Sequence, residues 1–228
     1  MTDRLSAKEQ ISAVALLMLH AVLLPLAASQ LELYYPGLLT PAQYNLAYYC
    51  ISVVLCFVLL WRYLKESFFT LCDRAGRGLT SILLGWALYL VLSWLLAPLF
   101  ELLGIVGTDP NTQSVADMMT QDRGIIIAVT LILAPIIEES VFRGGIFCGL
   151  YGKSRACAYL VSIILFSVYH VWQFAFVSGD IKGLLYAAAY IPAGFVLCRV
   201  YERSGSLWAS IIFHASVNAA NLSTMGLL

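Results

Sequence analysis

The chain has 228 residues, 61% of them hydrophobic and 11% charged, with a mean hydropathy of +0.85. A soluble domain carries about 25% charged residues, so the shortfall excludes an ordinary water-soluble core and makes lipid the expected solvent. Thirteen basic residues against thirteen acidic ones leave no net charge, so no basic field calls for a nucleic-acid partner.

A spanning helix needs about 20 mostly apolar residues, and seven stretches qualify. The first covers residues 11–31, follows Arg4 and Lys8, and lacks a small-residue cleavage site, so it reads as an uncleaved span. Its single ionisable residue, His20, reads as a packing or interfacial histidine. Tyr35-Pro36-Gly37 and Thr40-Pro41 then mark a turn before the second stretch, 44–61. Tyr34, Tyr35, Tyr44, Tyr48 and Tyr49 read as an aromatic belt at the outer interface. The third stretch, 79–103, follows turn and charge signals at 73–78, and a turn at 107–111 precedes the fourth, 124–150. The fifth is 156–177. Ser178-Gly179-Asp180 separates it from the sixth, 183–200, and residues 202–205 separate that from the seventh, 206–225. No linker is long enough to divide the chain, so one membrane domain is expected. The six cysteines form no CxxC pair, and five lie in or beside apolar runs, as small membrane hydrophobes do.

Loop charge sets the orientation. With seven alternating helices, one side holds Arg4, Lys8, Arg62, Lys65, Arg74, Arg77, Lys153, Arg155, Arg199 and Arg203, and the other holds Arg123 and Lys182. The positive-inside rule then places the N-terminus in the cytoplasm and the C-terminus outside. The expected fold is an all-α polytopic transmembrane helix bundle.

Ionisable groups near the bilayer centre cost a few kcal/mol each, about 2.5–3.5 on insertion scales, so each is a functional candidate. The fourth stretch contains Glu138, Glu139 and Arg143. Glu139 and Arg143 are spaced i,i+4, acid first, as a same-face ion pair requires. Glu138 is turned about 100° away and is free for another neighbour. Pro135 just upstream predicts a kink and freed carbonyls. The fifth stretch carries Phe166 and His170. The seventh carries His214, Asn218 and Asn221 at i, i+4, i+7, one polar stripe on an apolar helix. A buried carboxylate beside histidine suits general acid–base work on a water, and histidine or asparagine donors suit an oxyanion. Structural readings stand beside these. Glu139–Arg143 is also a plain helix-joining ion pair, the stripe is also interhelical hydrogen bonding, and Gly144, Gly145 and Gly149 suit close helix packing. One shared site accounts for all three polar patches together.

The three patches resemble, in order, the motifs EExxxR, FxxxH and HxxxN of the CAAX protease and bacteriocin-processing family of intramembrane proteases. They stand here as Glu138-Glu139-Ser-Val-Phe-Arg143, Phe166-Ser-Val-Tyr-His170 and His214-Ala-Ser-Val-Asn218. The stretch Ser204-Gly-Ser-Leu-Trp208 is also similar to that family, and the likeness covers roughly residues 131–221. It implies a helical bundle with a water-filled cavity. Glu138 and His170 would activate water, His214 and Asn218 would form the oxyanion hole, and Glu139 and Arg143 would support the site, with Phe166 and Asn221 beside it. The substrate would be a lipidated or membrane-embedded protein or peptide, and the location a prokaryotic cytoplasmic membrane. The first three stretches have no recognisable counterpart there. No cofactor is expected on this mechanism, but Glu138, His170 and His214 also make a two-His, one-carboxylate zinc set. A zinc-dependent protease using the same residues, and a non-catalytic immunity or binding protein, are the alternatives.

Overall fold

A computed structural model describes residues 5–105, 107–179 and 181–228. Among them every regular element is a helix, with no strand. Arg4 and Asp180, used above for the charge bias and a turn, lie outside the described residues.

Helix α1, Ala7–Tyr34, starts on a reciprocal capping box between Ser6 and Glu9. Helix α2, Pro41–Asp73, repeats the device with Thr40 and Gln43 and has proline at its first turn. Helix α3, Ala75–Leu102, lies on the outside of the bundle, with Gly78, Ser81 and Gly85 its buried residues. Helix α4, Pro110–Gln121, capped by Asp109, is short and polar, which is why hydropathy alone does not find it. Helix α5, Arg123–Tyr151, is the buried axis of the molecule. Helices α6, Arg155–Tyr169, and α7, Trp172–Ser178, follow, the latter stopped by Gly179 at φ +69°. Helix α8, Ile181–Ser204, opens with a tighter 3₁₀ stretch over Ile181–Tyr190. After Gly205 at φ +74°, α9 runs over Leu207–Thr224.

Among the described residues five helices, α1, α2, α3, α5 and α8, are long and apolar enough to cross a bilayer. They coincide with five of the seven expected spans. The expected fifth span is not one helix. It breaks at His170–Val171, and α6 alone is about 22 Å long, short of a hydrocarbon core of about 30 Å. The expected seventh is a single helix, but its own polar stripe dilutes its hydropathy.

Two proline-linked distortions shape the interior. In α1 the turn Leu19–Leu23 widens to π geometry, with Leu24 N–H bonded to Leu19, just before Pro25. In α5 the turn Val129–Leu133 widens in the same way before Pro135, with Ala134 N–H bonded to Val129. Proline has no N–H and its ring clashes with the carbonyl four residues back, and a wider turn relieves that clash. The widened register would pair residue 135 with the Thr130 carbonyl, and proline cannot donate. The expected kink is thus a π turn that frees a carbonyl.

The glycines of α5 do serve close packing. A Cβ on Gly145 would lie 3.0 Å from Ala13 of α1, and one on Gly144 would lie 3.0 Å from the Tyr63 ring of α2. At the far end the α8–α9 turn clamps α2. Ser206 Oγ donates to the Ser67 carbonyl at 2.8 Å, and Trp208 Nε1 donates to that of Leu64 at 2.9 Å.

Candidate active site

Glu138, on the buried axis of α5, is 3% exposed. Its Oε2 lies 3.6 Å from His170 Nε2 and 3.8 Å from His214 Nε2, and has no hydrogen-bond partner among the described residues. Three helices therefore bring one carboxylate oxygen and two imidazole nitrogens together. The other oxygen, Oε1, accepts from the Tyr49 hydroxyl at 3.3 Å.

Each imidazole is anchored by its far nitrogen. His170 sits where α6 ends, and its Nδ1 is 2.8 Å from the Phe166 carbonyl one turn back. A carbonyl only accepts, so Nδ1 carries the hydrogen and Nε2 is left for the cavity. Tyr190 stacks on the His170 ring at 4.2 Å and 21°. The Tyr190 hydroxyl donates to Asp109 at 2.6 Å, so the residue that caps α4 also holds the plate behind His170. His214 Nδ1 lies 2.9 Å from Glu139 Oε1, which fixes its Nε2 toward Glu138 in the same way.

Glu139 is the hub of this support. It pairs with Arg143 at 3.0 Å and accepts from Ser210 at 2.6 Å, with Glu139 and Arg143 both fully buried. Arg143 also donates to the Gly194 carbonyl at 3.2 Å and lies 4.3 Å above the Phe166 ring. Phe166 in turn meets His170 and His214 edge-on, at 4.5 and 5.8 Å. Glu139, Arg143 and Phe166 thus form one contiguous buried group against His170 and His214. Asn218 Nδ2 donates to the Thr130 carbonyl at 2.9 Å, the carbonyl that Pro135 leaves free. Asn218 and Asn221 line the same cavity of about 690 Å³ as Glu138, His170 and His214.

Several participants were not foreseen from the sequence. Tyr48 and Tyr49 are no interfacial belt. Tyr49 is 7% exposed, and Tyr48 packs on it at 4.6 Å between ring centres. Tyr49 touches Tyr169 hydroxyl to hydroxyl at 3.1 Å. Tyr169 meets His20 Nε2 at 2.9 Å, and His20 Nδ1 meets Ser52 at 2.9 Å. His20 is a fully buried packing histidine that also ends this chain. The only sequence signal was a set of polar groups on α1 and α2 at the depth of Glu138.

The donor chemistry of Glu138, His170 and His214 suits zinc, and both histidines carry the outer partners such ligands have. No cluster of three His, Cys, Asp or Glu among the described residues is placed to hold a metal ion.

Residues 121–220 match the family model of type II CAAX prenyl endopeptidase Rce1-like proteins. Over 120 residues the chain is 32% identical to a protein of Bacillus subtilis (strain 168) provisionally named membrane peptidase YdiL, a stretch covering 52% of this chain and 44% of that one. Over 95 residues it is 38% identical to the UPF0177 protein YaiF of Lactococcus lactis subsp. lactis (strain IL1403), covering 42% of this chain and 38% of the other. The matching stretches span less than half the length of either relative. No solved structure matches.

Proposed function

We propose that this integral membrane protein, which belongs through residues 121–220 to the type II CAAX prenyl endopeptidase Rce1-like family, is an intramembrane endopeptidase whose Glu138 and His170 activate a water against a peptide bond. The observation that carries the reading is the convergence of His170 Nε2 and His214 Nε2 on the unbonded Oε2 of Glu138, at 3.6 and 3.8 Å. Those separations are too long for direct hydrogen bonds and suit a bridging water.

A water between Glu138 and His170 loses a proton to this pair while its oxygen bonds to the substrate carbonyl carbon. The carbonyl oxygen becomes an oxyanion, and His214 Nε2–H and the Asn218 amide are the donors for it. The C–N bond then breaks, and the abstracted proton passes to the departing amine. For His214 to donate from Nε2 it must be an imidazolium, because its Nδ1 hydrogen is engaged by Glu139. Two carboxylates, Arg143 and a cationic His214 then sum to zero charge, the balance a buried site requires.

No lysine or arginine lines the cavity among the described residues, and His214 is committed to the oxyanion, so no lysine or arginine is placed to seize a free terminal carboxylate. That favours an internal bond. The apolar surroundings suit a membrane-embedded or lipidated peptide or protein, and the short loops and bacterial relatives suit a prokaryotic cytoplasmic membrane. A zinc-dependent reaction by the same three residues is the second reading, favoured by the paired Nδ1 anchors.

The deciding measurement compares the termini of membrane proteins, by mass spectrometry, in cells with wild-type protein, Glu138→Gln and His170→Ala. Specific new termini should be present with wild type and lost in both variants at equal membrane abundance. Termini unchanged by both substitutions would leave a non-catalytic membrane protein.

A further inference from the structure

We infer that the cavity holding Glu138, His170 and His214 takes its substrate from the non-cytoplasmic face of the membrane, as a chain segment exposed there. The substrate part of this inference rests on the peptidase reading above, whereas the direction of access does not.

The bundle has two distinct ends. One carries Ser6 with Glu9, the Glu9–Arg62 ion pair, the Ser67–Ser206 clamp and the Tyr151–Glu202 bond. The other carries the turn before Thr40, helix α4 and the last turn of α9. The cavity wall runs from Glu138 and His170 toward this second end only, past Pro25, Tyr44, Met118 and Asn221 to Glu32 and Met225. In the opposite direction the floor is sealed. The Glu139–Arg143 pair, Phe142 and Phe147 fill the axis, and the Tyr63 and Tyr201 hydroxyls bond across it at 2.7 Å, every one of these side chains at 0–1% exposure.

Charge says which end faces the cytoplasm. Lys8, Arg62, Lys65, Arg74, Arg77, Lys153, Arg155, Arg199 and Arg203 all gather at the sealed end. Among the described residues only Arg123 and Lys182 lie at the open end, beside Glu32, Glu101, Asp109, Asp117 and Asp122. The positive-inside rule puts the sealed, basic end in the cytoplasm. The open end and the reacting groups below it therefore communicate with the outside, and a protein tail confined to the cytoplasm is excluded as substrate.

The test uses the full-length protein in right-side-out spheroplasts with a membrane-impermeant maleimide, read peptide by peptide. Ser114→Cys, on the cavity wall at the open end, should label in intact spheroplasts. The natural Cys72 and Cys157, exposed at the basic end, should label only after permeabilisation. Labelling of Cys72 and Cys157 in intact spheroplasts, with Ser114→Cys protected, would overturn the proposal whatever the enzymology. In the comparison of termini, the sites lost with Glu138→Gln should fall in segments exposed outside the cytoplasm. Sites lying only in cytoplasmic segments would overturn the substrate assignment. Termini that do not change at all would remove the peptidase reading and leave the direction of access to the labelling result.

Discussion

Tyr49 of α2 donates its hydroxyl to Glu138 Oε1 of α5 at 3.3 Å, and so decides which carboxylate oxygen is left for chemistry. With Oε1 held, Oε2 is the atom that faces both imidazoles. Tyr49 lies well outside the 121–220 family match, so the N-terminal helices contribute to the site itself. Tyr49→Phe keeps the ring and removes the bond. A hydrogen bond to a charged group is worth about 1.5–3 kcal/mol, so cleavage should slow by roughly ten- to a hundredfold. Single-turnover kinetics with a defined substrate would measure it, and an unchanged rate would remove Tyr49 from the site.

Glu138 and its neighbour Glu139 should fail in opposite ways. Glu138→Gln leaves the supporting network intact, so the protein should melt as wild type does while cleavage is lost. Glu139→Gln leaves Arg143 buried without its counter-charge, and breaking a buried pair from one side costs about 3–5 kcal/mol. That variant should melt at lower temperature in detergent and accumulate poorly. Glu139→Leu with Arg143→Leu should recover part of the lost stability without recovering cleavage. Thermal denaturation followed by tryptophan fluorescence separates the two behaviours.

What could be read from the sequence followed cost in lipid. Glu138, Glu139, Arg143, His170 and His214 stand out because charge and imidazole are expensive there, and helical spacing already paired Glu139 with Arg143. Tyr49 and Tyr169 did not stand out, because a tyrosine in an apolar run is equally at home at the interface. Helix α4 was too short and polar for a hydropathy argument. The break after Tyr169 was hidden because the residues on both sides remain apolar, and the end of a helix inside an apolar run leaves no compositional mark.

The zinc alternative has its own outcome. With a water activated by Glu138 and His170 alone, cleavage should persist after exhaustive chelation, and purified active protein should contain far less than one zinc per chain. Loss of activity on chelation, restored by zinc and accompanied by stoichiometric metal, would transfer the same three residues to the metal-dependent mechanism. The assay needs protein in lipid nanodiscs, so that a chelator effect is not confused with detergent inactivation.

Pro135 offers a test of how the backbone places an oxyanion donor. The π turn over Val129–Leu133 leaves the Thr130 carbonyl without a backbone donor, and Asn218 Nδ2 takes it at 2.9 Å. The amide is thereby oriented, with its second N–H left over for the cavity. Pro135→Ala restores an N–H and removes the ring clash, so the turn can tighten to ordinary α geometry and recapture its carbonyls. Asn218 would then lose its anchor. Removing an oxyanion donor costs about 10²–10³ in kcat, which sets the expected loss for Asn218→Ala. Pro135→Ala should lose less, because the donor remains but wanders, and its melting temperature should not fall. The double variant should be no slower than Asn218→Ala alone, since the proline acts through the asparagine. Additive losses in kcat would mean that Pro135 shapes the cavity by some other route.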